Sequence, residues 1–426
     1  MSKITVAIAG LGSRGLQTYA KCLEKFADRA EIVAVADIRP DRVAVAAEKY
    51  NIPADKCFDS VESMLQQPKL ADLLLICTPD DVHYQPAMDG LKRGYHLLLE
   101  KPAARSVKEC RDIARLAEEK GLNVVVCHVL RYTVFYQKIK ELIDAGRVGD
   151  IMNIEAIERV GYWHQAHSFV RGNWRNDQTT SPMIMQKCCH DLDYLVWLSG
   201  QRCERVSSFG SLKLFKPECA PEGAALRCMD GCKAKESCPF DAEKIYLTNE
   251  KTGVLAGNKD WPLDVLALDP TEESIREAIK TGPYGRCVYH CDNNVVDHQV
   301  VSMQMENGAT LTLTMCAFTT AGSRALTIMG TKGDIRADMS ANTIRVCAFG
   351  GEPEVIDVTK IADDFSGHGG GDKQLVAQFI DIVNGKEPDS RVTTLEASVE
   401  SHLVALAAEE SRKNGGKSIE IAPMRG

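Results

Sequence analysis

The sequence of 426 residues lacks the features of a membrane or nucleic-acid-binding protein. No stretch approaches the ~18 consecutive apolar residues that a membrane-spanning helix needs. The 51 basic residues are outnumbered by 59 acidic ones, and the formal net charge is −8. No basic run is interleaved with aromatic side chains. We therefore expect neither a membrane nor a nucleic-acid partner.

Met-Ser-Lys leads directly into an apolar strand pattern, so we expect no export signal. This predicts a cytoplasmic protein whose 16 cysteines are mostly reduced thiols or metal ligands. The contents of 44% hydrophobic and 26% charged residues are typical of a globular protein. The length favours two domains.

The first fifteen residues carry the strongest functional signal. An apolar run ends in Gly-Leu-Gly-Ser-Arg-Gly, with glycines at positions 10, 12 and 15. Gly10 permits a tight turn, Gly12 lets the backbone approach a pyrophosphate, and Gly15 lets the following helix pack closely. That helix, over about residues 14–26, would direct its free N–H groups at phosphates.

A second apolar run ends at Asp37, where a partner for the ribose hydroxyls belongs. The sequence therefore predicts dinucleotide binding. A carboxylate repels a 2′-phosphate, which favours NAD over NADP, although Arg39 could soften that repulsion.

The pattern of strands changes along the chain. Apolar strands alternate with helices in the first third, which predicts an N-terminal Rossmann domain with a doubly wound parallel sheet over residues 1–127. Later strands alternate polar and apolar residues, and Gly308 follows Asn307 at a hairpin turn. Residues 128–426 are therefore predicted to form an α+β domain with an open, mainly antiparallel sheet. One helix is predicted over residues 181–198.

These features resemble the Gfo/Idh/MocA oxidoreductase family over essentially the full length. The resemblance rests on the glycine loop, Asp37, Cys-Thr-Pro-Asp-Asp-Val-His at 77–83, Glu100-Lys101-Pro102 and Cys-His-Asp at 189–191. It implies a Rossmann domain joined to a substrate-binding and oligomerisation domain, oxidation of sugars or cyclitols with a nicotinamide, and a homo-oligomer. The cofactor-binding residues would be Gly10, Gly12, Ser13, Arg14, Gly15, Asp37, Arg39, Thr78, Pro79, His83, Glu100 and Lys101.

Three residues are candidates for the chemistry of hydride transfer. Lys101 follows a parallel strand at the edge where ligands bind, and its ammonium could steady an alkoxide. His190 occupies the family's acid/base position, and Lys187 could assist as a second cation. The alternatives are a solvated surface lysine and a structural histidine. Gln186 stands where family members commonly carry an aspartate, and a neutral amide cannot share a proton with His190.

Residues 161–175 are dense in aromatic rings and hydrogen-bond donors, as a polyhydroxylated ligand requires. The alternative is a loop with aromatic core anchors. His164 and His167 could also suggest a metal site, but no nearby carboxylate or cysteine completes the ligand set. The predicted substrate-binding residues are His164, His167, Arg171, Trp174 and Arg175, with Asp191 and Tyr194 from the predicted helix.

Cysteines concentrate in residues 219–291, within an apparent insertion at about 211–292. Thiolates at these spacings suit a structural zinc, and an iron–sulfur cluster fits the ferredoxin spacings less well. The alternative is free thiols packed as small hydrophobic groups. The predicted metal ligands are Cys228, Cys232, Cys238, Cys287 and Cys291.

Three functions remain open from the sequence. The first is an NAD-dependent oxidoreductase that oxidises a ring hydroxyl of a small-molecule sugar or glycoside. The second is a redox-neutral, NAD-dependent glycoside hydrolase that oxidises the sugar, eliminates the glycosidic group, adds water and returns the hydride. The third is a non-catalytic NAD or sugar sensor, which the retention of Lys101 and His190 disfavours.

Overall fold

A computed structural model describes residues 3–425. Its first sheet has six parallel strands in the order β3-β2-β1-β4-β5-β6, so the strand order reverses between β1 and β4, where doubly wound sheets bind their ligands. This confirms the predicted Rossmann sheet. The strands are β1 (Ile4–Ala9), β2 (Ala30–Ala36), β3 (Cys57–Phe58), β4 (Leu73–Ile76), β5 (His96–Leu99) and β6 (Val124–Val126).

Helices cover both faces of this sheet. The helix after the glycine loop begins as a π-helical segment (Ser13–Ala20) and continues as α1. A capping box at Ser106 and Glu109 begins α5. The helices are α1 (Lys21–Glu24), α2 (Pro40–Tyr50), α3 (Val61–Leu65), α4 (Tyr84–Lys92) and α5 (Val107–Lys120).

The second sheet has nine strands in the order β14-β13-β12-β11-β7-β10-β9-β8-β15. Only β7 and β10 pair in parallel, so the predicted open, mainly antiparallel sheet is confirmed. The strands are β7 (Ile151–Arg159), β8 (Cys203–Ser211), β9 (His298–Met305), β10 (Thr310–Cys316), β11 (Ser323–Gly330), β12 (Gly333–Asp338), β13 (Thr343–Ala348), β14 (Glu354–Asp357) and β15 (Ile419–Glu420).

Ten α-helices follow β6 in the described part of the chain, and no helix in residues 3–425 is long and apolar enough to cross a membrane. They are α6 (Val134–Asp144), α7 (Tyr162–His164), α8 (Met183–Gln186), α9 (Cys189–Ser199), α10 (Leu263–Leu266), α11 (Glu272–Thr281), α12 (Ser366–Gly369), α13 (Gly371–Val383), α14 (Leu395–Lys413) and α15 (Ala422–Arg425). Shorter helical turns are Ala54–Lys56, Asp80–Val82, Val129–Tyr132, Gln165–Arg171, Pro217–Cys219, Lys244–Thr248, Val254–Ala256, Pro283–Gly285 and Val358–Lys360.

The prediction of a single helix over residues 181–198 is wrong, because the helix is interrupted between α8 and α9. The backbone leaves the regular helix at Lys187 and Cys188. At the break, the carbonyl oxygen of Gln186 accepts a hydrogen bond from Lys101 Nζ at 2.8 Å. A charged side chain from the first sheet therefore donates a hydrogen bond to a carbonyl at the end of α8.

Helix α13 lies in the predicted second domain by sequence, but it packs on the sheet of the first domain. Its buried Leu375, Phe379 and Ile380 belong to the same hydrophobic cluster as Val6 and Ile8 of β1. A late part of the sequence thus completes the core on one face of the first sheet, and it brings the segment before α13 beside the glycine loop.

The long connection between β8 and β9 has a hydrophobic core of its own. Phe215, Phe240, Tyr246 and Ile275 are buried there, together with Val170 from the segment before α8. The cysteine-rich insertion is therefore packed against the aromatic segment at 161–175.

We expect Phe379→Ala to lower the free energy of unfolding by about 3–5 kcal/mol, because it removes a buried ring that joins α13 to the first sheet. Chemical denaturation followed by circular dichroism measures this. The matched control is Phe349→Ala, whose ring is 69% exposed and should change stability by less than about 0.5 kcal/mol. Equal effects of the two substitutions would contradict the packing of α13.

Candidate active site

The turn after β1 has the geometry of a phosphate-binding loop. Gly10 has a φ of +94°, and a Cβ there would lie 2.8 Å from the backbone carbonyl that follows β4. A Cβ on Gly15 would lie 1.9 Å from the oxygen of Gly10. A Cβ on Gly12 would meet Arg42 Nη1 at 3.7 Å, an ordinary contact. The backbone at Gly12, just before Ser13 begins the helix, can therefore be approached by a pyrophosphate.

Asp37 lies at the end of β2 and fixes this loop. Its Oδ2 accepts the N–H of Leu11 at 2.6 Å and its Oδ1 accepts the N–H of Arg39 at 2.8 Å. The Arg39 side chain is used in an ion pair with Asp41, whereas Arg42 Nη1 lies 3.7 Å from Asp37 Oδ2. The carboxylate retains lone pairs for ribose hydroxyls, so the residues present fit NAD.

Arg14, one of the predicted cofactor-binding residues, is partly exposed and pairs with two buried carboxylates. Its Nε donates to Glu100 Oε1 and its Nη2 to Asp372 Oδ1, both at 2.6 Å. Tyr19 donates to Glu100 Oε1, and Glu100 Oε2 accepts the N–H of Lys101. Burial alone would raise the pKa of Glu100, but Arg14 and Lys101 outweigh burial and lower it. Glu100 is therefore an anion that fixes the backbone at Lys101.

The loop after β4 lies beside the glycine loop. The backbone nitrogen of Thr78 would be 2.9 Å from a Cβ on Gly10. His83, which follows Pro79, places its ring nitrogens 2.8 Å from the carbonyl oxygens of Thr78 and Pro102. The buried imidazole thus joins the loop after β4 to the segment that carries Lys101.

Lys101 reaches from the first sheet to the helix break that precedes His190. Its Nζ donates to the backbone oxygen of Gln186 at 2.8 Å and approaches Oε1 of the same residue at 3.3 Å. His190 is buried. Its Nδ1 has no hydrogen-bond partner among the described residues. Desolvation, with a further contribution from the Lys101 ammonium, lowers the pKa of His190 well below its ordinary value. The imidazole is therefore neutral and able to accept a proton.

Lys187 belongs to a second group of buried charges. Its Nζ lies 3.3 Å from Glu158 Oε1, and Arg324 Nε lies 2.8 Å from Glu158 Oε2 and 2.7 Å from Asp191 Oδ1. Burial raises the pKa of Glu158, while Arg324 and Lys187 oppose that rise. This group borders a cavity of about 240 Å³, lined by Glu158, Val160, His164, Lys187, Gly322, Ser323, Arg324, Met339 and Ser340.

Sequence reasoning missed Glu158 and Arg324. On β7, Glu158 follows Ile154 and Ala156 in the buried register, so a carboxylate stands where apolar side chains are expected. Arg324 likewise shares the inward register of Leu326 on β11. A charged residue in the apolar register of an alternating strand was the available signal.

Of the histidines in the aromatic segment, His164 lines the cavity and His167 does not. The His164 ring lies 4.7 Å from the ring of Trp261, edge to face. His167 stacks on Tyr284 at 4.7 Å, and its Nδ1 lies 2.9 Å from the hydroxyl of Tyr246. Burial lowers the pKa of His167 to about 3. His167 therefore packs into the insertion as a neutral ring.

The two arginines of the segment also face the insertion. Arg171 is fully buried and donates to the backbone oxygens of Arg286 and Phe240, at 2.7 and 2.6 Å. Arg175 forms a two-pronged pair with Asp292 near the surface. These contacts attach the insertion to the segment before α8.

Trp174 and Tyr194 pack in the core of the second domain. Trp174 lies against the main hydrophobic cluster, 6.3 Å from the ring of Phe169. Tyr194 stacks on Tyr136 with ring centroids 4.3 Å apart. The structure therefore brings His164 and Asp191 to the charged cavity and leaves these two rings outside it.

The prediction of a zinc or iron–sulfur site is not supported. Cys228, Cys232, Cys238 and Cys287 line one small cavity, but no group of three His, Cys, Asp or Glu side chains in residues 3–425 is arranged to hold a metal ion. Cys291 donates to the carbonyl of Cys287. Burial raises the pKa of these thiols where a shift is resolved. Cys228 and Cys287 are buried in the hydrophobic cluster of the insertion, whereas Cys232, Cys238 and Cys291 are half-buried.

Comparison with known proteins decides the family. A family model described as the NAD-binding Rossmann fold of the oxidoreductase family GFO_IDH_MocA matches residues 4–128. The model of that family's C-terminal alpha/beta domain matches residues 140–421. The chain belongs to the Gfo/Idh/MocA family. It is an NAD-binding oxidoreductase, and the resemblance found in the sequence is confirmed.

Individual relatives are distant. YteT of Bacillus subtilis, named only as an oxidoreductase, is 25% identical over 95% of this chain and 94% of its own length. A 2,7-anhydro-N-acetylneuraminate hydratase of Escherichia coli is 27% identical, but over only 34% of this chain and 38% of its own. The WlbA dehydrogenase of Chromobacterium violaceum, solved with NADH and UDP-GlcNAcA, superposes with a TM-score of 0.67 at 19% identity, covering 98% of this chain and 96% of that one.

We expect Asp37→Ala to weaken NAD binding about tenfold or more, because it removes a charged acceptor from the ribose hydroxyls and from the loop. NADP binding should change less, so the preference for NAD narrows. Calorimetric titration with both dinucleotides measures this, with the exposed Asp55→Ala as control. An unchanged ratio of the two dissociation constants would mean that Asp37 does not contact the ribose.

Proposed function

We propose that this protein oxidises a ring hydroxyl of a sugar or glycoside by hydride transfer to NAD, with Lys101, His190 and Lys187 as the residues that act on the substrate. One observation carries the proposal. The ammonium of Lys101, held at the ligand-binding edge of the NAD-binding sheet, meets the helix break next to neutral His190 and Lys187.

The chemistry divides between cofactor and protein. NAD, when bound, supplies the hydride acceptor. Lys101 donates a hydrogen bond to the substrate oxygen and stabilises the negative charge that develops there. His190, neutral because it is buried beside a cation, accepts the hydroxyl proton. Glu100 and Arg14 hold the Lys101 segment in place.

The proposed substrate class rests on the cavity beside Lys187. Its lining is mostly polar and charged, and it includes the ring of His164. Carbohydrate sites combine forked donors and carboxylates for hydroxyl groups with a ring for the sugar C–H face. The sugar nucleotide named with the WlbA structure supports the same class.

A redox-neutral glycoside hydrolase is the second candidate. Lys187 follows directly after Gln186, whose carbonyl accepts from Lys101, and its own Nζ lies at the cavity, 3.3 Å from Glu158 Oε1. Two cations that both contact one substrate would stabilise the enolate that forms when a ketone acidifies the neighbouring C–H group. The hydratase among the relatives supports this alternative.

Net NADH formation separates the two candidates. The purified protein is incubated with NAD and a panel of sugars and aryl glycosides, while NADH absorbance and aglycone release are followed together. We expect NADH to accumulate without aglycone. Aglycone released with no net NADH would instead establish the redox-neutral hydrolase. The absence of both NADH and aglycone would contradict both candidates.

We expect Lys101→Ala to reduce turnover by at least about 10²-fold while the dissociation constant for NAD stays within twofold of wild type, because only the oxygen-binding ammonium is lost. Steady-state kinetics and NAD titration measure the two quantities. Lys108→Ala, which removes a lysine that is 83% exposed on α5, is the matched control. Retained activity in Lys101→Ala would exclude the alkoxide role.

A further inference from the structure

Helix α12 places a histidine of the glycine-rich segment against His190. The ring centroids of His368 and His190 lie 5.8 Å apart. Gly369 and Gly370 follow with φ values of +66° and +83°, which side chains other than glycine rarely adopt. This backbone turns the chain so that His368 and Asp372 face each other.

The carboxylate of Asp372 orients the His368 ring. Asp372 Oδ2 lies 3.0 Å from His368 Nδ1, and its Oδ1 accepts from Arg14 Nη2 at 2.6 Å. Burial alone would raise the pKa of Asp372, but Arg14 and His368 outweigh burial and lower it, so the group is an anion. An anion accepts, and therefore Nδ1 of His368 donates and Nε2 is left with its lone pair.

Nδ1 of His190, by contrast, is not hydrogen-bonded to any carboxylate in residues 3–425. His190 is 5% exposed, and its Nδ1 has no partner among the described residues, whereas the side chain of His368 is 39% exposed. Gln186 offers only a neutral amide to this part of the site. A proton taken from a substrate by His190 therefore needs another group to carry it to water, and His368 is the more exposed of these two neighbouring rings.

We propose that the His368–Asp372 pair is the proton relay of this site, which rests on the function proposed above. The substrate C–H bond breaks with its electron pair going to NAD, and the O–H proton passes to His190. His190 then transfers a proton to Nε2 of His368, whose positive charge Asp372 balances, and His368 releases it to water. His368 thus acts through His190 and not on the substrate itself.

The charges around the two rings suit this direction of transfer. Burial lowers the pKa of His190 most, and Lys101, His128, His368 and Arg324 lower it further, so a lasting positive charge is disfavoured there. Asp372 pairs with His368 and also with Arg14. Arg14 in turn donates to Glu100. The carboxylate of Asp372 can therefore balance the positive charge when a proton moves from His190 to His368.

The test compares His368→Gln with His298→Gln. His298 is the matched control, because its ring also pairs with an aspartate at 2.8 Å and its side chain is 41% exposed, but on β9 beside Asp297. We expect His368→Gln to lower kcat about 10²-fold with KM and NAD affinity within twofold of wild type. His298→Gln should retain wild-type kcat.

Two readouts separate a relay from a structural role. The pH profile of kcat should differ between wild type and His368→Gln, and it should be unchanged in His298→Gln. In His368→Ala, added imidazole should restore at least a tenth of wild-type kcat. A His368→Gln variant with wild-type kcat and pH profile, or no rescue of a folded His368→Ala, would overturn the relay.

The same experiment distinguishes failure of the relay from failure of the proposed function. If the wild type oxidises a sugar and Lys101→Ala does not, while His368→Gln behaves as His298→Gln, only the relay is wrong. If the wild type shows no NAD-linked turnover with any sugar or glycoside of the panel, the relay falls together with the proposed function.

Discussion

The guanidinium of Arg14 lies between two buried carboxylates, Glu100 and Asp372, and donates to both at 2.6 Å. These residues come from the glycine loop, the end of the first sheet and the start of α13. The arginine therefore joins the nucleotide loop, the Lys101 segment and the His368 segment into one site. Removing one partner of such a buried group costs about 3–5 kcal/mol, because it leaves uncompensated charge. The position of Lys101 and the proposed relay both depend on this network.

Much of the fold follows from local patterns in the sequence. The glycine loop, the apolar strands of the first sheet and the hairpin at Gly308 are each specified by residues close together in the chain. The helix break at Lys187 was not predictable in this way. It coincides with a hydrogen bond from Lys101, 85 residues earlier in the chain, and helical periodicity gives no information on such a contact.

The candidate site was predicted less completely than the fold. Lys101, His190 and Lys187 could be proposed from local motifs, and the structure gathers them around the helix break. His368 carried no local signal, since it lies in a glycine-rich turn and reaches His190 only because α13 packs on the first sheet. The cysteine spacings suggested metal, yet spacing alone does not determine whether thiols converge or pack against apolar neighbours.

Hydride transfer from a sugar carbon to NAD is the central claim, and isotope transfer tests it most directly. The protein is incubated with NAD and sugars or glycosides deuterated at every ring carbon, and the cofactor is analysed by mass spectrometry. The account predicts that at least one substrate gives a cofactor one mass unit heavier with the wild type and none with Lys101→Ala. A cofactor that stays free of deuterium across the panel would contradict the account.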